Sequence, residues 1–280
     1  MTSEETTRVG DLHSHLVPAV DDGARTLEEA LEAVERMVAA GIGQIVTTPH
    51  VNASLTHDSS LLGTLLAEVD ESWQELAEQV RERFPEVELF RGHEVMLDVP
   101  DPDFSDARLR LAGTSFVLVE WPRLQIPPRT TQVIERIASA GYRPILAHPE
   151  RYAGIKRELD SAGAWRSAGA YLQVNHGSFI GRYGPDARSV ASELLIRGWV
   201  DYLSSDFHAR AHLGIHLRDA EDFFTAHDGL EQFQLLTVTN PGRVIRDQPP
   251  LPVAPMPISE GFWDGFKKIF IQGVNRRRER

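Results

Sequence analysis

Seven short apolar runs punctuate this chain, and each finishes on a side chain able to grip a metal ion or a polar ligand. They cover residues 9–15, 44–50, 87–94, 115–120, 144–148, 170–175 and 200–206. Their ends carry His13 and His15, His50, Glu94, Glu120, His148, Asn175, and Asp206 followed by His208. Runs of this length bounded by turn residues predict buried strands. Helical patterns lie between them. Thr26 with Glu29 reads as a capping box, and Leu27, Ala30, Leu31, Val34, Met37 and Val38 form an apolar stripe that stops near Gly41. A longer stripe predicts a helix over 59–83, ended by Pro85, and shorter patterns cover about 130–140, 161–168, 186–197 and 220–225.

Alternating strands and helices favour βαβ units and a parallel sheet. An open doubly wound sheet would gather its site at one switch point. Ligands at nearly every run end instead favour an α/β barrel, which presents the C-terminal ends of all its strands on one face. The expected fold is a distorted (β/α)7 barrel with a metal site on that face.

The histidines gain force from their spacing. His13 and His15 alternate, as do Asp206 and His208, so at strand period two each pair shares one face. His50 and His148 sit beside Pro49 and Pro149, which cannot continue a ladder. Each histidine alone is as compatible with a structural role. Glu94 and Glu120 are harder to explain that way, because a carboxylate closing an apolar run is costly to bury unless paired or coordinated. Asp22, in Asp21-Asp22-Gly23, is ordinary turn chemistry but follows the first strand closely. With it the metal-ligand candidates are His13, His15, Asp22, His50, Glu94, Glu120, His148, Asp206 and His208. One ion takes about four to six ligands, so this set suits two to three divalent ions. Arg151 and Arg210 follow ligand positions and are candidate phosphate clamps, with ion pairs to local acids as the alternative. Tyr152, Asn175 and His176 are candidates for the mouth of the site.

Composition narrows the chemistry. The chain has 280 residues and no cysteine, which excludes disulfides, thiolate metal sites and a cysteine nucleophile. Its formal charge of −12 offers no net basic field for nucleic acid. The first ten residues are polar and no long apolar stretch follows, so a cytoplasmic location is expected. Residues 248–257 hold five prolines, and Phe262, Trp263, Phe266, Ile269, Phe270 and Val274 then recur at near-helical spacing. Residues 267–280 carry six bases and one acid. The reading is a barrel over 1–247 and an extension over 248–280, either a helix docked on the barrel or a membrane-proximal contact.

These motifs together resemble a known family. Asp11-Leu12-His13-Ser14-His15, Asp21-Asp22-Gly23, Thr47-Thr48-Pro49-His50, Gly92-His93-Glu94, Leu118-Val119-Glu120, His148-Pro149-Glu150-Arg151-Tyr152 and Ser205-Asp206-Phe207-His208 are similar to the bacterial capsule-biosynthesis tyrosine phosphatases of CpsB/CapC type. These belong to the polymerase-and-histidinol-phosphatase (PHP) superfamily. The likeness runs from about residue 11 to 248. It implies a trinuclear centre of Mn, Fe, Zn or Mg on the nine positions named above, with Arg151 and Arg210 binding phosphate. It also implies hydrolysis of phosphotyrosine on a tyrosine kinase of polysaccharide export. The alternatives are a small-molecule phosphatase of the same superfamily, such as a histidinol phosphatase, or a phosphodiesterase. The basic C-terminal extension falls outside the family pattern.

Overall fold

In the computed structural model, which describes residues 8–258, nine parallel strands alternate with helices. The strands are β1 (Val9–Ser14), β2 (Ile42–Thr47), β3 (His50–Asn52), β4 (Glu88–Arg91), β5 (Glu94–Met96), β6 (Phe116–Glu120), β7 (Arg143–Ala147), β8 (Tyr171–Asn175) and β9 (Tyr202–Ser204). The helices are α1 (Leu27–Ala40), α2 (Ser59–Arg83), α3 (Thr130–Ser139), α4 (Asp160–Ser167), α5 (Pro185–Ile196) and α6 (Leu217–Thr225), then the short α7 (Leu230–Gln234) and α8 (Asn240–Ile245). None of them is long and apolar enough to cross a membrane.

The strands form one three-stranded sheet, β1-β2-β4, and one six-stranded sheet, β3-β5-β6-β7-β8-β9. Backbone bonds join them into a barrel of seven staves. The His15 amide donates to the Phe207 carbonyl at 2.9 Å, the Asp206 amide donates to the His13 carbonyl at 2.9 Å, and Ser14 bridges Phe207 in parallel. Two of the seven expected strands are broken. The run 44–50 divides at Thr48-Pro49 into β2 and β3, and 87–94 divides at Gly92-His93 into β4 and β5. Pro49 has no amide to donate. At Gly92 a Cβ would lie 2.9 Å from Leu111 Cδ2 and 3.0 Å from its Cα, so only glycine permits the approach. The Glu94 amide then crosses to the Thr48 and Pro49 carbonyls. His50 and Glu94 therefore open short upper strands rather than closing long ones, and they are register partners.

Side-chain alternation builds two cores. On β6, Phe116 and Leu118 face an inner core with Ile145, Ala147, Tyr202, Leu12 and Val46, while Val117 and Val119 join the outer core beneath the helices. The next inward position on β6 is Glu120, at the open end. In β1 the register on β2 slips between Asp11 and Ser14, the kind of irregularity that re-aims side chains beside active sites. The helices start and stop as their sequences require. Thr26 Oγ1 accepts from the Glu29 amide at 3.2 Å, and Gly41 ends α1 at φ 101°. The Glu29 carboxylate does not complete the box at Thr26; it accepts from the Arg25 amide at 2.9 Å instead. Residues 248–258 carry no helix or strand, and Val253 and Met256 bury against the barrel. The amphipathic pattern from Phe262 onward lies outside the described residues.

Asp11 locks the closing seam. Fully buried, its carboxylate accepts from the His13 amide at 3.0 Å and from the Ser205 amide at 2.9 Å. Asp11→Ala leaves both amides unpaired and is expected to cost about 2–4 kcal/mol, read as a lower urea midpoint with an unchanged m-value. A loss below about 0.5 kcal/mol would show that the seam does not depend on this carboxylate.

Candidate metal centre

The strand ends bring all nine ligand candidates into one cluster. Glu94 lies at its middle. Glu94 Oε2 is 3.0 Å from His13 Nε2, 3.4 Å from His15 Nε2 and 3.2 Å from His50 Nδ1, while Oε1 is 3.1 Å from His148 Nε2. Asp206 Oδ1 lies 3.5, 3.6 and 3.4 Å from nitrogens of His13, His15 and His208. Glu120 reaches to 3.7 Å from His50 and 4.0 Å from His148. Asp22 Oδ1 lies 3.5 Å from His50 Nε2 and 3.4 Å from His208 Nε2. Three overlapping groups have ligand atoms mutually within 4.8 Å: His13, His15 and Glu94; His50, Glu94 and Glu120; and His15, Asp22, His50 and His208. Burial falls along the cluster, from His13 and His15 at the floor to an Asp22 side chain that is 70% exposed.

The charges fit cations. Burial disfavours charge on His13, but Glu94 and Asp206 outweigh it and push its pKa up to about 9. Burial likewise opposes ionisation of Glu94, yet His13, His148 and His15 hold it well below the usual carboxylate range. Glu120 is less well supported: burial and then repulsion from Glu94 outweigh the pull of His13 and His15 and push it up to about 8. The imidazoles thus do not fully balance the carboxylates, and divalent cations would supply the remaining positive charge. With imidazole and carboxylate donors and no thiol, the set suits Mn, Fe, Zn or Mg.

A surrounding layer orients the ligands. Gln173 Oε1 lies 2.9 Å from His13 Nδ1, and Asp21 Oδ2 lies 2.7 Å from His15 Nδ1, which turns both Nε2 atoms inward. Asp21 also accepts from the Gly23 amide at 2.8 Å. Backbone strain accompanies the arrangement. His148 has φ 35° and Asp206 φ 52°, conformations costing about 1–3 kcal/mol each in non-glycine residues.

The expected substrate contacts fare differently. Arg151 does reach the cluster: its guanidinium pairs with Asp206 and lies 4.5 Å from the centroid of the Tyr183 ring. Arg210 stands at the rim, committed to Glu29 at 3.2 Å and to the Asp22 carbonyl at 2.9 Å. Tyr152 borders the cleft beside the cluster, but its polar atom is spent. It is buried among Trp165 and His148, and its hydroxyl accepts from the Trp121 amide and donates to the Ala147 carbonyl. Asn175 is also buried, with both ends of its amide used: Nδ2 donates to Asp206 at 3.0 Å and Oδ1 accepts from Gln173 at 2.9 Å. Its side chain thus holds the Asp206 carboxylate. His176 is buried too, with Nδ1 3.2 Å from the Ile215 carbonyl.

Sequence reasoning missed Gln173, the bond from Asp21 to His15, Tyr183, and Arg36, whose guanidinium donates to the Arg210 carbonyl at 3.0 Å. Gln173 and Asn175 had a usable signal, since polar residues alternate with Leu172 and Val174 on a buried strand. Arg36 and Tyr183 had none.

A seven-staved α/β barrel with groups able to hold divalent ions at the C-terminal ends of its strands is the framework of a metal-dependent hydrolase. Residues 9–246 match the family described as capsular polysaccharide synthesis, CpsB/CapC, and the chain belongs to that family. It is 26% identical to the tyrosine-protein phosphatase YwqE of Bacillus subtilis over 91% of this chain and 99% of that one. It is 24% identical to the tyrosine-protein phosphatase CpsB of Streptococcus pneumoniae over 85% and 98%. The crystal structures of YwqE and CpsB, called unique metal-dependent tyrosine phosphatases, share the fold, with a TM-score of 0.74 at 24% identity over 89% of this chain and 99% of that one.

Because Glu94 belongs to two of the three groups, Glu94→Gln is expected to lower the bound metal by at least one ion per chain. Gln173→Ala, which frees the His13 ring, is expected to weaken metal affinity about 10–100-fold. Elemental analysis and competition with a chelator measure both. Unchanged metal content in Glu94→Gln would remove Glu94 from the ligand set.

Proposed function

We propose that this chain is a metal-dependent protein-tyrosine phosphatase of the cytoplasm, acting on a tyrosine kinase that controls the synthesis and export of capsular polysaccharide. The observation that carries the reading is the convergence of nine histidine and carboxylate side chains, with Glu94 at their middle, in a chain without cysteine. Family membership and the activity named for its relatives support the choice of phosphotyrosine. The catalytic unit would be residues 1–247, with 248–280 as an extension.

Two to three divalent ions, Mn first among them, would be held by His13, His15, Glu94 and Asp206, by His50, Glu94, Glu120 and His148, and by Asp22, His50 and His208. When bound, such ions lower the pKa of coordinated water and neutralise charge on a phosphoryl group. Arg151 is the best-placed side chain to bind phosphoryl oxygens, because its partner Asp206 belongs to the cluster and its planar fork matches phosphate. Arg210 would contribute only by leaving Glu29. Gln173, Asn175 and Asp21 hold the ligands still, so little reorganisation is needed as charge develops. The leaving tyrosinate has a parent pKa of about 10 and asks for little acid assistance.

Chelation is expected to abolish hydrolysis of a phosphotyrosine peptide, and added manganese to restore it. Arg151→Ala is expected to lower kcat/KM about 100-fold. Hydrolysis unaffected by chelation would sink the metal mechanism. Faster turnover of histidinol phosphate in a parallel assay would make this a small-molecule phosphatase.

A further inference from the structure

We propose that the cleft beside the metal centre seats the polypeptide carrying the phosphotyrosine and favours acidic residues on either side of it. This rests on the phosphotyrosine reading above.

The cleft has a volume of about 900 Å³ and is linked to the cluster through two lining residues, Arg151 and Tyr183. Arg151 lines it and pairs with Asp206; Tyr183 lines it and stacks on Arg151. A phosphoryl group held by Arg151 would therefore leave the rest of its chain lying along this cleft. Ile155, Ala187 and Val190 give it an apolar floor that suits side-chain packing. On one side the Ala153 amide donates to the Leu124 carbonyl at 2.8 Å, and Gln125 bridges Ala153, so that wall is held by backbone bonds.

Charge selects the occupant. The chain as a whole carries 41 acidic and 29 basic residues. Around this cleft, against that acidic background, several cations are loosely held. Lys156 pairs at 2.9 Å with Asp186, whose side chain is 79% exposed, and an incoming carboxylate could replace that partner cheaply. Arg157 lines the cleft, is exposed, and forms no ion pair among the described residues. Arg123 and Arg182, chain neighbours of the lining Leu124 and Tyr183, are likewise exposed and without an ion pair among the described residues. Uncommitted guanidinium groups are the natural partners of carboxylates.

The test uses the full chain loaded with manganese. Its substrates are phosphotyrosine peptides with Asp/Glu, Ala/Gln or Lys flanks, and N-acetyl-phosphotyrosine amide as the substrate without flanks. The expected result is a kcat/KM about fivefold higher for the acidic than for the neutral peptide, expressed in KM, the size of one exposed charge pair. The preference weakens at high salt. In Arg157→Glu the ratio collapses or inverts; Arg182→Glu, on another segment, reduces it independently. Equal kcat/KM on all peptides, or a ratio untouched by both substitutions, overturns the proposal. If the amide and every peptide resist hydrolysis, the phosphatase reading itself fails, and this proposal with it.

Discussion

The buried carboxylate of Glu94 is the constraint around which this barrel is arranged. Sealed from water and touching four imidazoles, it could not ionise without positive charge on several sides. Meeting that demand explains the irregularities of the fold. Two staves break so that Glu94 and His50 can open upper strands in register. His148 and Asp206 accept left-handed backbone conformations to aim inward.

The surrounding structure divides into a fixed floor and an adaptable rim. At the floor, Asp11 ties β1 to the Ser205 segment, Gln173 orients His13, and Asn175 steadies Asp206. These bonds are buried and neutral or charge-assisted, so they hold positions closely. At the rim, Arg151 and Arg210 are held by acids they could exchange for a phosphoryl group. Glu150 lies between the two regions. Burial pushes its pKa up to about 7, and it binds the Asn175 amide and the Ser178 hydroxyl, coupling the cleft wall to the ligand layer.

Much of the fold was legible because its signals are local. The apolar stripes, Thr26, Gly41 and Pro85 placed α1 and α2 within a residue or two, and the seven runs located the staves. The site was legible to the same depth: all nine ligand candidates lie at run ends or in the first turn, and the structure brings them together. What misled was treating each run as one unbroken strand. The break at Gly92 depends on Leu111 packing against it, a contact between distant segments. Tyr152 and Asn175 differ from their sequence reading for a related reason. Their polar atoms looked available in sequence, whereas in the structure partners from other strands consume them.

By itself, then, the sequence determined the type of elements, the donor chemistry of the centre and the exclusion of cysteine chemistry, since these follow from residue identity and spacing along the chain. Tertiary structure alone decided which carboxylate lies at the middle, which arginine meets the cluster and which is held by Glu29, and where a cleft opens beside them. Those are questions of distance, burial and competing partners, which arise only when residues far apart in the chain are folded against one another.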